Sequence, residues 1–260
     1  MRRILIHPGF HHTGASRLQK TLRANRAALA PHVHMLFRPG MAALCTSARA
    51  YSVSRSDLDL GMVKFEAASL AQSLSEVRAP TIILSAEALS GRLPGRKGLR
   101  GYTAAPKLAQ AIALAFEAAV PDDEIILFYT IRDADGWLHR SYRQHLRTAR
   151  MVLDRDDYVS RFAGSADLSA AVDTVAEAVP HLSVLRADAA AENTRPLGTL
   201  DLLLDCVGVP DARRKGLAPP PDADADPDPA LDAALLELNR GDMQGTDLRD
   251  AKRALIARAA

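Results

Sequence analysis

Arg3–Leu29, RILIHPGFHHTGASRLQKTLRANRAAL, is the stretch that decides the fold. Ile4–Ile6 is a short apolar run that stops at a turn, as a buried strand does. His7–Ala15 carries the turn residues, and from Ser16 a helical pattern places Leu18, Leu22, Asn25 and Leu29 on one face. Strand, glycine-containing loop and helix together form an oxyanion-binding site. Glycines let backbone N–H groups turn inward, and the first turn of the helix offers unpaired donors and partial positive charge. Ser16 or Thr13 is placed to cap the helix or touch a phosphate oxygen. Gly9 and Gly14 stand five apart and precede Ala15 and Ser16. This is Walker-A spacing with alanine where the lysine belongs. Without that lysine nothing reaches the β/γ-phosphates, which argues against ordinary ATP or GTP hydrolysis.

Outward from this stretch, strands and helices alternate. His32–Phe37 reads as a second strand, followed by an irregular Gly/Pro/Ser stretch. Met62–Val77 is helical, with Phe65, Leu70 and Leu74 as its apolar points. Thr81–Ser85 and Glu124–Ile131 are buried strands, and Leu182–Leu185 is a short one. Ser90–Tyr102, rich in Gly and Arg, reads as a mobile loop. Lys107–Ala119, Asp135–Arg150, Asp157–Ala163, Leu168–Val179 and Leu200–Val207 are helical. The pattern predicts an α/β fold, a parallel sheet flanked by helices. Residues 1–217 form its domain and 218–229 a Pro/Asp-rich linker. In 230–260, helices over Leu231–Leu238 and Leu248–Ala259 dock on the domain or on a second copy, which leaves a homodimer open. Ligands bind such sheets beyond the carboxyl ends of the strands. The His7–Ser16 loop, Ser85–Glu87 and Arg132 all fall there.

The 260 residues suffice for one large domain with a full core. The apolar fraction is 48% against 5% aromatic, which fits an Ala- and Leu-rich globular chain and argues against disorder. A net charge of +2 points to no nucleic-acid partner. Arginine far outnumbers lysine, which suits bidentate capture of phosphate or carboxylate, although a GC-rich genome gives the same bias. Cys45 and Cys206 make neither a metal spacing nor a disulfide framework, so a reducing cytosol is the expectation. The apolar run at the start is too short for a secretory signal, and no window approaches the ~20 apolar residues of a membrane span. A soluble, cytoplasmic protein without a membrane partner is expected.

The opening stretch resembles that of bacterial sulfotransferase-family proteins, roughly His-x-Gly-x-Pro-Lys-Thr-Gly-Thr-Thr-Ser-Leu-Gln continuing to an Asn-Arg pair. His7, Gly9, Thr13, Gly14, Leu18, Gln19, Asn25 and Arg26 match. The family's lysine falls on His12 and the preceding proline on His11. IILSAEALSG resembles the family's strand ending in Ser-Ser-Glu-x-Leu, with Ser85, Glu87 and Leu89 matching and Ala86 replacing a serine. TIRDADGWLHRSYRQHL resembles the segment for the 3′-phosphate of the nucleotide, with Arg132, Trp137, Leu138, Tyr142 and Gln144 in register. There Arg140 stands at the family's serine and Ser141 comes one residue late, about 100° round the helix. Arg213-Arg-Lys-Gly216 lies near the family's last basic loop, or is a solvated basic turn.

The resemblance implies a P-loop NTPase-like architecture and transfer of a sulfuryl group from 3′-phosphoadenosine 5′-phosphosulfate to a hydroxyl or amine of a small-molecule or glycan acceptor. By it, Thr13, Gly14, Ala15 and Ser16 hold the 5′-phosphate. Arg132 takes the 3′-phosphate, with Arg140 or Ser141 beside it; the alternative for Arg132 is a salt bridge to Asp133 or Asp135, and for Arg140 an exposed helix arginine. His12 stabilises the leaving group as a pH-dependent histidinium, or else it is, like His7 and His11, only a loop donor. Glu87 or His11 is the base, the alternative for Glu87 being a salt bridge or a helix N-terminus. This chemistry needs no metal. Two other readings stay open: a non-catalytic relative that has lost the lysine and serves as a nucleotide-binding or interaction module, and an atypical P-loop kinase. The acceptor would be set by Pro39–Asp59 and Ser90–Tyr102.

Overall fold

The runs TIILS, RILIH and EIILFYTI are apolar almost without alternation, and such runs are stable only where both faces of a sheet are covered. The computed structural model describes residues 2–30, 32–188, 195–220 and 228–259, and shows this arrangement. In chain order the elements are β1 (Arg3–His7), α1 (Ala15–Ala24), α2 (Arg26–Leu29), β2 (Val33–Phe37), α3 (Ala42–Ser54) and α4 (Asp57–Ser73). Next come β3 (Thr81–Ser85), α5 (Ala105–Ala119), β4 (Glu124–Ile131), α6 (Ala134–Thr148), α7 (Arg155–Phe162), α8 (Leu168–Ala178) and β5 (Ser183–Asp188). The chain continues through α9 (Thr199–Cys206), α10 (Asp211–Arg214), α11 (Pro229–Arg240) and α12 (Gly245–Arg258).

The described residues form a five-stranded, all-parallel sheet in the order β2-β3-β1-β4-β5. Ile4 and Ile6 of β1 face a core built with α3 to α8 and Leu235 of α11. Leu5 faces the other core, with Leu18 and Leu22 of α1 and Leu200, Leu203 and Leu204 of α9. The edge strand β5 is mostly exposed, and β2 alternates.

The register positions the candidate site. His7, Phe37 and Ser85 end three neighbouring strands at one level. Ile6 pairs with Leu127, so β4 runs on three more residues, to Ile131, about 10 Å beyond the end of β1. That overhang carries Arg132 up beside the loop that follows β1.

Two expectations fail here. The stretch after β2 is helical, not irregular: Pro39 sits in a single turn, Arg38–Met41, that leads into α3. Pro-Gly, read as a breaker, marks a helix start, where a missing N–H costs nothing. Helix α4 buries Leu60, Val63, Ala67 and Ala71, whereas Phe65 is 63% exposed with Leu58 and Met62 on the outer face. Ser90–Tyr102 carries no regular helix beyond the turn Glu87–Ser90, yet it is anchored by buried Leu93 and Tyr102. Part of the Pro/Asp-rich linker, 221–227, lies outside the described residues. The last two helices dock on α6: Asn239 Nδ2 (3.1 Å) and Lys252 Nζ (2.7 Å) both donate to Leu146 O, and Lys252 Nζ also to Ala149 O at 2.7 Å. Among the described residues no helix is long and apolar enough to cross a membrane.

Candidate functional site

The carboxyl ends of β1, β3 and β4 are joined by a sealed polar network. Thr13 Oγ1 donates to Phe10 O at 2.7 Å, so its contact with Thr130 Oγ1, also 2.7 Å, must be one that it accepts. Thr130 has then spent its proton, and at 3.2 Å it accepts from His7 Nε2. His7 Nδ1 therefore carries no proton and accepts from Ser85 Oγ at 2.8 Å, while Ser85 Oγ accepts from Gln19 Nε2 at 3.1 Å. Every donor along the chain finds an acceptor, which assigns His7 as the neutral Nε2–H tautomer. Burial agrees, pushing its pKa from 6.5 down to about 4. His7, Thr13, Gln19 and Ser85 thus build the floor of the loop. Asn25 does similar work, clasping the Ala218 backbone through Oδ1 (2.7 Å) and Nδ2 (2.9 Å).

Above this floor the loop turns its carbonyls outward. Trp137 Nε1 donates to His11 O and Arg132 Nε to His12 O, each at 2.9 Å, while Phe10 O takes the Thr13 hydroxyl. Gly9 (φ 56°), His12 (φ 66°) and Gly14 (φ 92°) adopt left-handed backbone. Alternating backbone of this kind makes a nest of inward amides. The N–H groups of Thr13, Gly14, Ala15 and Ser16 donate to no described residue. Helices α4, α6, α7, α8 and α11 have a Ser or Asp side chain closing the first turn, whereas α1 starts at Gly14 with no side-chain cap and no acidic residue. The start of α1 thus keeps donors that no described residue takes up.

The structure gathers His11, His12, Thr13, Gly14, Ala15, Ser16, Glu87 and Arg132 at this one edge, and leaves others aside. Glu87 is half-buried, with Oε1 3.5 Å from Ser16 Oγ. His11 Nδ1 lies 3.0 Å from Tyr102 Oη, which also accepts from the His11 N–H. Burial first, then the charges of His12, Arg49, His145 and Arg38, lower the His11 pKa to about 3. Ser141 is fully buried beside Tyr158 and does not line the crevice. Arg140 is half-buried on α6. Arg213 lies at the opposite edge of the sheet, in a cleft with Arg3 and Pro80, and Arg214 is taken up by Asp201 and Asp205. A larger groove, about 820 Å³, lies between the end of α6 and α12 and shares no residue with the loop.

Sequence reading passed over three arginines. Arg38 follows β2, Arg49 lies on α3 and Arg92 follows β3. Ser52 Oγ donates to Arg49 O at 2.8 Å and accepts from Arg92 N at 3.1 Å, so two distant segments are tied side by side. Gly91 (φ 96°) permits the approach, because a Cβ there would stand 2.6 Å from Ser52 Cβ. None of the three side chains makes a hydrogen bond or ion pair with another described residue, and Arg49 Nε and Arg92 Nε are buried. Burial, then Arg38 and Arg92, lowers the Arg49 pKa.

This geometry defines a class: a parallel α/β protein whose first strand is followed by a loop with undonated amides at an uncapped helix start, with three arginines near it. Comparison with protein-family models and with curated proteins finds no match to the chain.

Proposed function

We propose that the protein is a sulfotransferase of P-loop-like architecture that binds 3′-phosphoadenosine 5′-phosphosulfate across the loop and Arg132. The observation that carries this reading is the set of undonated amides from Thr13 to Ser16, at a helix start left without a cap. The resemblance of the three motifs names the anion. The amides would hold the 5′-phosphate, and Arg132, reaching the loop from the β4 overhang, would lie on the nucleotide side. In the reaction the acceptor oxygen attacks sulfur in line, the bond from sulfur to the bridging phosphate oxygen breaks, and the acceptor proton passes to a base. Glu87 suits that role by position. His11 is less suited, since its Nδ1 faces Tyr102 and its affinity for a proton is low. His12, in the place of the family's lysine, would face the developing charge on the leaving oxygen.

Saturation with 3′-phosphoadenosine 5′-phosphate should raise the melting temperature, as any ligand of the folded state does. No shift at millimolar nucleotide would sink the proposal, and a larger, Mg-dependent shift with ATP would favour a kinase. The histidine at the lysine position keeps a second reading in view, binding without transfer. A chain that binds the nucleotide, and gains no transfer when His12→Lys restores the lysine, would favour it.

A further inference from the structure

The arginine pocket lies on one side of the loop and Arg132 on the other. In the order β2-β3-β1-β4-β5, Arg132 extends from β4, whereas Arg38, Arg49 and Arg92 come from the β2 and β3 side. A nucleotide held between the loop and Arg132 leaves the arginines to whatever approaches Glu87 from that flank. A guanidinium Nε buried without a partner is costly to keep, and Arg49 is also repelled by Arg38 and Arg92, although Arg49 and Arg92 are only half-buried as whole residues and Arg38 is exposed. A multiply bonding oxyanion would stabilise such a group, and planar guanidinium suits carboxylate, sulfate and phosphate alike. The electrostatic surroundings agree: Arg38 and Arg49 both act on the His11 ring and on Cys45.

We propose that Arg38, Arg49 and Arg92 bind an oxyanion group carried by the acceptor, so that the acceptor is itself an anion, with its reacting hydroxyl presented to Glu87. The proposal rests on the sulfotransferase reading. It makes the pocket a specificity determinant: a neutral alcohol leaves three cations unneutralised, whereas a carboxylated, sulfated or phosphorylated alcohol docks its charge first.

Inorganic sulfate is a probe of the pocket free of any scaffold. With the full chain saturated in 3′-phosphoadenosine 5′-phosphate, sulfate should bind a further site with millimolar affinity, read by calorimetry and by the His11 ring resonances, at constant ionic strength held with chloride. In Arg49→Met/Arg92→Met that binding should weaken at least roughly tenfold, while nucleotide affinity changes less than about threefold. Methyl glucuronide and glucose 6-phosphate should compete with sulfate where methyl glucoside does not, and the stronger competitor tells carboxylate from phosphate. Loss of nucleotide affinity in the double variant would overturn the inference, by making the arginines part of the nucleotide site, and would leave the proposed function standing. Absence of saturable sulfate binding, "an adventitious ion only", or equal competition by the neutral glucoside would overturn it as well. A wild-type chain that binds no nucleotide would remove the proposed function and the acceptor with it.

Discussion

Two polar regions lie side by side at the carboxyl edge of the sheet, and they are opposites. Around His7 every buried donor meets an acceptor, from Gln19 through Ser85, Thr130 and Thr13 to Phe10 O. Around Arg49, buried donors meet nothing in the described chain. The first arrangement lowers the free energy of the folded state and fixes the strand ends in register. The second raises it, and burdens of this sort gather where a ligand is to be received. Burial of polar atoms alone therefore does not distinguish the two regions; the state of their hydrogen bonds does.

The sharpest way to break the contrast is His7→Ala. It removes the ring between two hydroxyls and opens a cavity, and should cost about 4 kcal/mol in chemical denaturation. A loss under about 1 kcal/mol would show the network to be dispensable. Acidification tests the same ring without mutation. Because the folded chain holds His7 neutral down to about pH 4 against an ordinary value of 6.5, the unfolded chain binds the proton first. Stability is then unaffected by His7 above pH 6.5, falls between 6.5 and 4, and levels below. The total for this residue is on the order of 3 kcal/mol, with a slope up to about 1.4 kcal/mol per pH unit. His145, also near 4, adds its own slope in that window. His7→Gln should remove one proton's worth of slope from the pH dependence of the urea midpoint; an unchanged slope would reassign it. Gly91→Ala acts on the other region: a strained φ and contact with Ser52 should cost about 2 kcal/mol and part Arg92 from Arg49. The smallest effect carries the opposite sign. Arg49→Met should leave stability unchanged or raise it by up to about 1 kcal/mol, since it removes a half-buried cation repelled by Arg38 and Arg92. A clear loss of stability would mean that Arg49 supports the fold instead of a ligand.

The sequence made some of this legible and hid the rest for physical reasons. EIILFYTI has no competing pattern, and the strand spans Glu124–Ile131 as expected. The loop was legible because glycine spacing is a local property. Helix α3 is hidden behind Pro39 and Gly40, and Phe65 misleads because it is apolar yet outside, whereas Leu70 and Leu74 do meet the core. The residues that match the sulfotransferase motifs mostly brace the scaffold: His7, Gln19, Ser85 and Trp137 hold the loop's floor or carbonyls. The arginine pocket has no signature at all. Arg38, Arg49 and Arg92 belong to three separate segments, and only the meeting of Ser52 with Gly91 makes them neighbours, a long-range contact that no period in the chain announces.

Helix α6 gives the molecule a schedule as well as a shape. Arg132 and Trp137, at its start, hold the outward carbonyls of the loop, and its final carbonyls are held by Asn239 and Lys252. One rod of 15 residues, about 22 Å long, thus joins them. On the ribosome the His11–Ser16 loop emerges long before α6 exists, and α6 emerges before anything closes its far end. The His11–Ser16 loop is thus made before the helix that sets it, and that helix before the residues that hold its far end.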